Sequence, residues 1–175
     1  AIRSVMPQTR IEVLIPDFSN KPQCLEQLVA ARPEVISHNM ETVRRLSSDV
    51  RPQADYERSL AVLGNLKKFA PSAFIKSGFM VGLGETDAEI TALMRDLVAV
   101  GCDMLTIGQY LAPGRKKRYL RVQRFVRPEE FEHYKTIGLK IGFKHVMSGP
   151  LVRSSYIAEE GYRECFGKNT VGHDF

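Results

Sequence analysis

Hydrophobic positions along this chain alternate between short continuous apolar runs and longer stretches with apolar residues every three or four places, a pattern that predicts strands and helices in turn. Residues 11–15 (IEVLI) form a β-branched run closed by Pro16 and Asp17, which fits a buried parallel strand ending at a turn. Residues 22–31 then place Leu25, Leu28 and Val29 on one helical face, and Arg32 with Pro33 stops the helix. Residues 35–39 make a second short strand. After polar loop residues and Arg51-Pro52, Tyr56, Leu60, Leu63 and Leu66 recur at helical spacing. A third strand over 74–81 leads to a helix carrying Ile90, Leu93, Met94 and Leu97, with Gly101 as its C-terminal cap. Residues 104–108 are a fourth strand. A helix over 128–142 opens with Pro128 and two acids, as a helix N-terminus prefers, and 145–148 is a last strand candidate before a polar tail.

Strand and helix therefore alternate four times, which predicts an α/β fold with a parallel sheet and right-handed crossovers. In such folds the loops after the strands carry the chemistry. The loops in question hold Pro16 and Asp17, residues 38–41, residues 82–85, and Gln109 with Tyr110. The richest of them follows the third strand, where AFIKSGFMVGLGETDAE (73–89) runs from apolar residues into Gly78, Gly82 and Gly84 and then a helix start. Thr86 and Glu89 have the spacing of a capping box. The glycines, lacking Cβ, either let backbone approach a ligand closely or only shape a tight turn, with Glu85 a surface residue.

Composition narrows the class. A chain of 175 residues is one domain by length, or part of a larger barrel, and 43% hydrophobic with 26% charged residues is ordinary for a soluble protein. No apolar run approaches the roughly 20 residues of a membrane span, so neither a transmembrane nor a secretory segment is expected. Cys24, Cys102 and Cys165 are dispersed, with no C-x-x-C pair or compact ligand cluster, which suggests a reducing compartment. A net charge of +5 favours an anionic partner. No nucleic-acid motif or aromatic platform accompanies it, so nucleic acid is not the expected one.

Three constellations stand out. At residues 38–41 (HNME), Asn39 and Glu41 have the chemistry to hold vicinal hydroxyls, since a carboxylate accepts from two O–H groups and an amide gives and takes; the alternative is a loop that satisfies its own backbone, with His38 an interior histidine. Between 115 and 127 lie seven Lys or Arg residues, either a solvated face or a docking surface for an acidic protein. Arg153, Ser154, Ser155 and Tyr156 set two hydroxyls between a cation and an aromatic, or simply form a turn. A serine hydrolase is not indicated, because there is no G-x-S-x-G elbow.

Taken together, seven ordered blocks resemble the lipoyl synthase family of radical S-adenosylmethionine enzymes: LIPDF (14–18), HNMETV (38–43), RPQADYERSL (51–60), KSGFMVGLGET (76–86), TIGQYLAP (106–113), VQRFVRPEEF (122–131) and GPLVRSSY (149–156). The resemblance implies the C-terminal half of a partial (β/α) TIM-type barrel over residues 1–148, with a tail over 149–175 carrying the RSSY motif. The family inserts two sulfur atoms into an octanoyl chain carried on a lysine of a lipoyl-carrier protein, using a radical made from S-adenosylmethionine at one [4Fe-4S] cluster and a second cluster as sulfur donor. Gly78, Met80, Gly82 and Glu85 resemble the family's G-x-I-x-G-x-x-E strand that supports the adenosine. Asn39 and Glu41 resemble the polar pair facing ribose and the methionyl part, and Gln109 with Tyr110 would wall the adenine. A serine of the RSSY tetrapeptide ligates the auxiliary cluster in the family, here Ser154 or alternatively Ser155.

Two departures accompany the resemblance. The family's cluster-binding motifs, C-x3-C-x2-C and C-x4-C-x5-C, belong upstream and are not among these residues, so this chain alone is expected to build neither cluster and to be inactive, the intact parent being the enzyme. After Ala112-Pro113 the usual stretch with histidine and L-P-V is replaced by GRKKRYLRV, longer and more basic. The implied partners are octanoylated carrier domains, such as the glycine cleavage H protein or the acyltransferase subunits of 2-oxoacid dehydrogenases. The implied compartment is the cytoplasm of a bacterium, or a mitochondrion or plastid. The alternative is a non-catalytic module that kept the fold and binds acidic carrier domains. The first strand, lacking one neighbour in half a barrel, is expected to expose an edge and promote association.

Overall fold

A computed structural model describes residues 1–114, 119–155 and 158–170. Five parallel strands, β1 (Glu12–Leu14), β2 (Val35–Ser37), β3 (Phe74–Val81), β4 (Met104–Gln109) and β5 (His145–Gly149), form one sheet in the order β1-β2-β3-β4-β5. The helices among the described residues are α1 (Ile2–Val5), α2 (Pro22–Ala30), α3 (Ser47–Val50), α4 (Tyr56–Phe69), α5 (Asp87–Ala99), α6 (Pro128–Ile141) and α7 (Ala158–Thr170). The predicted alternation therefore holds, with α2, α4, α5 and α6 each filling a crossover between sequential strands. None of the described helices is long and apolar enough to cross a membrane.

Local chemistry sets the boundaries. The Asp55 carboxylate accepts from Arg58 N at the start of α4, and Thr86 with Glu89 closes a complete capping box on α5. Pro128 opens α6. Gly101 and Gly142 follow the helix ends at φ +89° and +130°, conformations that side-chain-bearing residues resist.

The strands present alternate residues to two faces. On the back face, Ile36, Ile75, Phe79, Val81, Leu105, Ile107 and Val146 pack against Leu25, Leu60, Leu63, Leu93, Leu97 and Phe131 of the crossover helices, forming the main core. On the front face, in register across the sheet, lie Val35, Ser37, Phe74, Lys76, Gly78, Met80, Met104, Thr106, Gly108, His145 and Met147. Lys76 is almost fully buried there, and its ammonium is paired with Glu12 at 2.8 Å, so the cation is not left uncompensated.

Two expectations change. β1 is a three-residue strand with Leu14 60% exposed, because its pairing is with β2 alone and no described element covers its other side. The segment read as a polar tail holds α7, which covers the lower part of the front face. Cys165 and Tyr162 join Val35, Phe74 and Met104 in a small apolar cluster, and His145 Nδ1 meets Glu164 at 2.8 Å.

Candidate functional site

The carboxyl ends of β2, β3 and β4 are shaped by two different sets of residues. On the back, Glu85 folds its own loop, its carboxylate accepting from Gly82 N at 2.6 Å and Leu83 N at 2.9 Å. Gly82 sits at φ +99°, and a Cβ there would collide with the Gln109 amide and the Arg124 carbonyl. Gln109, expected beside the ligand, has its amide committed elsewhere: Nε2 donates to the carbonyls of Tyr110 and Arg124, and Oε1 accepts from Val126 N at 2.9 Å. Gly82 and Gln109 thus hold residues 123–126 against the strand ends, Glu85 fixes the turn that carries Gly82, and the three form scaffold behind the front face.

On the front, residues leaving β2 converge with the segment after β5. His38 is buried, and its Nδ1 lies 3.0 Å from the Ile15 carbonyl, which fixes the proton on Nδ1. Burial holds its pKa below the ordinary value, so the ring is neutral. Glu41 takes a left-handed conformation, φ +67°, costly for a residue with a side chain. A bridge to β3 holds it there, with Glu41 N donating to Gly78 O at 3.1 Å and Met80 N to Glu41 O at 2.9 Å. Arg51 fixes the same loop by donating to the Asn39 carbonyl at 2.8 Å.

Side chains then meet across the chain. Asn39 Nδ2 donates to Glu41 Oε1 at 3.2 Å and to Ser154 Oγ at 3.1 Å. Ser154 reaches this point because Gly108 has no Cβ, leaving its place to the Val152 carbonyl as the segment crosses the front face. Gly78 gives room in the same way to Asn39 Oδ1 and the Thr106 hydroxyl. The result is a cleft of about 80 Å³ lined by Asn39, Glu41, Gly78, Met80, Thr106 and Ser154. It adjoins a groove of about 300 Å³ that shares Glu41 and Met80 and continues past Arg51, Tyr110, Pro113 and Leu120. That volume is at the lower end for small-molecule sites. Tyr110 is held in the groove wall by donating to the Leu120 carbonyl at 3.0 Å.

The structure therefore brings together Asn39, Glu41, Gly78, Met80 and Ser154, with Tyr110 in the adjoining groove. Ser155 is exposed beside Ser154, while Tyr156 and residues 115–118 lie outside the described residues. Arg51 and Thr106 belong to the site but escaped the sequence reading. In the sequence Arg51 stands before a proline and opens the RPQADYERSL block with no site role marked by it, and Thr106 is placed by its register opposite Gly78. A further cavity, about 380 Å³ between residues 8–12 and α7, lies at the opposite, amino ends of the strands, where Gln8, Arg10, Glu12 and Glu159 line it with Tyr162. Among the described residues no three His, Cys, Asp or Glu side chains gather as metal ligands.

No protein-family model matches the chain. Individual relatives do. The chain is 54% identical over 159 residues to the lipoyl synthase of Caldicellulosiruptor saccharolyticus, covering 91% of this chain and 55% of that protein. It is 53% identical over 156 residues to the lipoyl synthase of Caldanaerobacter subterraneus subsp. tengcongensis, covering 89% and 54%. It is 56% identical over 159 residues to that of Chlorobaculum parvum, covering 91% and 53%. The chain spans about half the length of the curated relatives it matches. Over that half, it is a homologue of the lipoyl synthases.

Proposed function

We propose that this chain supplies the S-adenosylmethionine-binding wall of a lipoyl synthase, as the C-terminal half of a partial (β/α) barrel whose front face lines the interior. The observation that carries this reading is the convergence of Asn39, Glu41 and Ser154, separated by up to 115 residues, on one cleft at the carboxyl ends of the strands. The residues suit the ligand. The Glu41 carboxylate, held by a strained backbone rather than by an arginine, has acceptor capacity for the two ribose hydroxyls. Met80, Tyr110, Pro113 and Leu120 offer the groove an apolar wall for a flat base. Gly82, Glu85 and Gln109 serve the same site from behind by fixing the loops.

When bound, the iron–sulfur clusters and S-adenosylmethionine of the family supply the radical and the sulfur, chemistry beyond any side chain. From these residues, Ser154 is the side chain offered to the auxiliary cluster, with Ser155 beside it. One oxygen does not hold a cluster, so the thiolates come from elsewhere in the parent. This chain's own work is to bind and orient the nucleoside. On this reading the parent inserts two sulfurs into octanoyl-lysine on carrier domains and works in the cytoplasm or an organelle matrix. Exposed Leu111, Phe125 and Leu151 near the strand ends, together with Arg121 and Arg127, form a rim suited to an acidic carrier domain.

The test is ligand binding. In the protein that carries this chain, purified with the flanking residues its gene encodes, Glu41→Gln is expected to weaken S-adenosylmethionine binding by about 10- to 100-fold, the loss of hydrogen bonds to a charged acceptor. Titration calorimetry reads this directly. Unchanged affinity in Glu41→Gln would remove Glu41 from the site and the reading with it.

A further inference from the structure

Glu41 and Ser154 come from opposite ends of the chain, and one side chain touches both. The Asn39 carboxamide nitrogen carries two N–H groups, one given to Glu41 Oε1 at 3.2 Å and the other to Ser154 Oγ at 3.1 Å. The amide cannot turn over, since a flipped carboxamide would press Oδ1 against the Glu41 carboxylate, acceptor on acceptor. As it stands, Oδ1 is buried with no hydrogen-bond partner among the described residues, above Gly78. A native structure rarely leaves such a group unpaired. Here the oxygen gives no anchorage, so the orientation of the carboxamide rests on the two bonds made by its nitrogen. Among the described residues, Asn39 is also the hydrogen-bond partner of the Ser154 side chain.

We propose that Asn39 is a positioning residue that couples the segment carrying Ser154 to Glu41, so that a nucleoside ligand held by Glu41 binds more tightly when the Ser154 hydroxyl is in place. With Ser154 accepting one N–H, the other is aimed at Glu41 and holds the carboxylate in one arrangement before ligand arrives. Removing the acceptor leaves an N–H unpaired and the carboxamide held by its bond to Glu41 alone, a looser arrangement whose ordering then has to be supplied on binding. Linkage makes the effect reciprocal: ligand on Glu41 steadies Ser154 by the same factor. This rests on the reading of Glu41 as a ligand-binding group, and it adds a thermodynamic connection from that group to the serine.

The experiment is a double-mutant cycle read by equilibrium binding of S-adenosylhomocysteine to the whole protein that carries this chain. Ser154→Ala is expected to weaken binding about two- to tenfold, the worth of one net hydrogen bond. In an Asn39→Ala background the same Ser154→Ala change is expected to have no further effect. Ser154→Thr, which keeps the hydroxyl, is expected to restore wild-type affinity, a rescue that loss of packing alone does not explain. If Ser154→Ala does not yield folded protein, Ser154→Cys takes its place, with a weaker acceptor of similar size and an intermediate affinity expected. Unchanged affinity in Ser154→Ala, or equal weakening by Ser154→Ala in both backgrounds, overturns the coupling while leaving Glu41 as a ligand group. Absence of S-adenosylhomocysteine binding by the wild-type protein overturns both.

Discussion

Protonating His38 means placing a proton on Nε2, because Nδ1 already donates to the Ile15 carbonyl, and Nε2 is buried with no hydrogen-bond partner among the described residues. Burial is the dominant cause of its lowered pKa, Arg51 adds to the lowering, and the bond to Ile15 and the charge of Asp17 oppose it. The unfolded chain therefore binds this proton more readily than the folded one below the ordinary value of 6.5. Stability is expected to be flat above that pH and to fall as pH drops from about 6.5 toward 5. Asp17, Glu34, Asp103 and Glu130 have lowered pKa values, so their contributions are lost only at more acid pH, below the ordinary carboxylate range. Urea unfolding across roughly pH 8 to 5, the window in which His38 titrates in the unfolded chain, separates the two. His38→Asn, which keeps a donor for Ile15 and cannot titrate, should abolish the upper fall; an identical fall in both proteins would assign it elsewhere. At this scale the residue types were legible, since Asn39 and Glu41 stand where a strand ends. The Asn39–Ser154 bond was not, because it depends on a register and on space at Gly108 that no local pattern encodes.

The strands and crossover helices were legible because each buries one side against a common core, which imposes a period on the sequence. Helix α7 escaped for the converse reason. Its contact is narrow, Tyr162 and Cys165 one turn apart among acids and polar residues, and its partners Val35, Phe74 and Met104 are the first residues of three different strands. Gly161 is what allows the approach: a Cβ there would stand 2.7 Å from Met104 Cε and 3.0 Å from the His145 ring. The methionine end can move, but the ring is held by Glu164 at 2.8 Å. Gly161→Val is therefore expected to cost about 1–3 kcal/mol as overpacking. Gly64 in α4 is the contrast, since its added Cβ would meet Val100 at an ordinary 3.6 Å, and Gly64→Ala should stabilise by about 0.5–1 kcal/mol through helix propensity. Denaturant midpoints of the two variants check both signs, and a neutral Gly161→Val would show that α7 docks more loosely than its packing implies.

For the molecule as a whole, the sequential strand order places every crossover helix on the back face and leaves the front face to α7 and the segment after β5. β1 and β5 are the two edges of the sheet; β5 has α6 and α7 packed on its faces, whereas among the described residues β1 has its hydrogen-bonding edge open beyond Glu12–Leu14. Apolar side chains accompany that edge: Leu14 on the strand, and Ile2, Val5 and Met6 around α1, are all exposed. An open edge with apolar flanks is a template for pairing with another strand, which natural proteins usually blunt with a charge or a cover. The 175-residue chain expressed by itself is therefore expected to self-associate at micromolar concentration. Leu14→Lys places a charge beside that edge at a position that is 60% exposed, so the substitution removes little buried contact. It should shift the chain toward monomer in light scattering with its melting temperature nearly unchanged. The same substitution should be harmful in any longer protein in which another strand pairs with β1, because the charge would then be buried in a joint between strands. Monodisperse monomer for the unsubstituted chain would show that the edge is shielded, and association unaffected by Leu14→Lys would move the contact to the apolar rim at Leu111, Phe125 and Leu151.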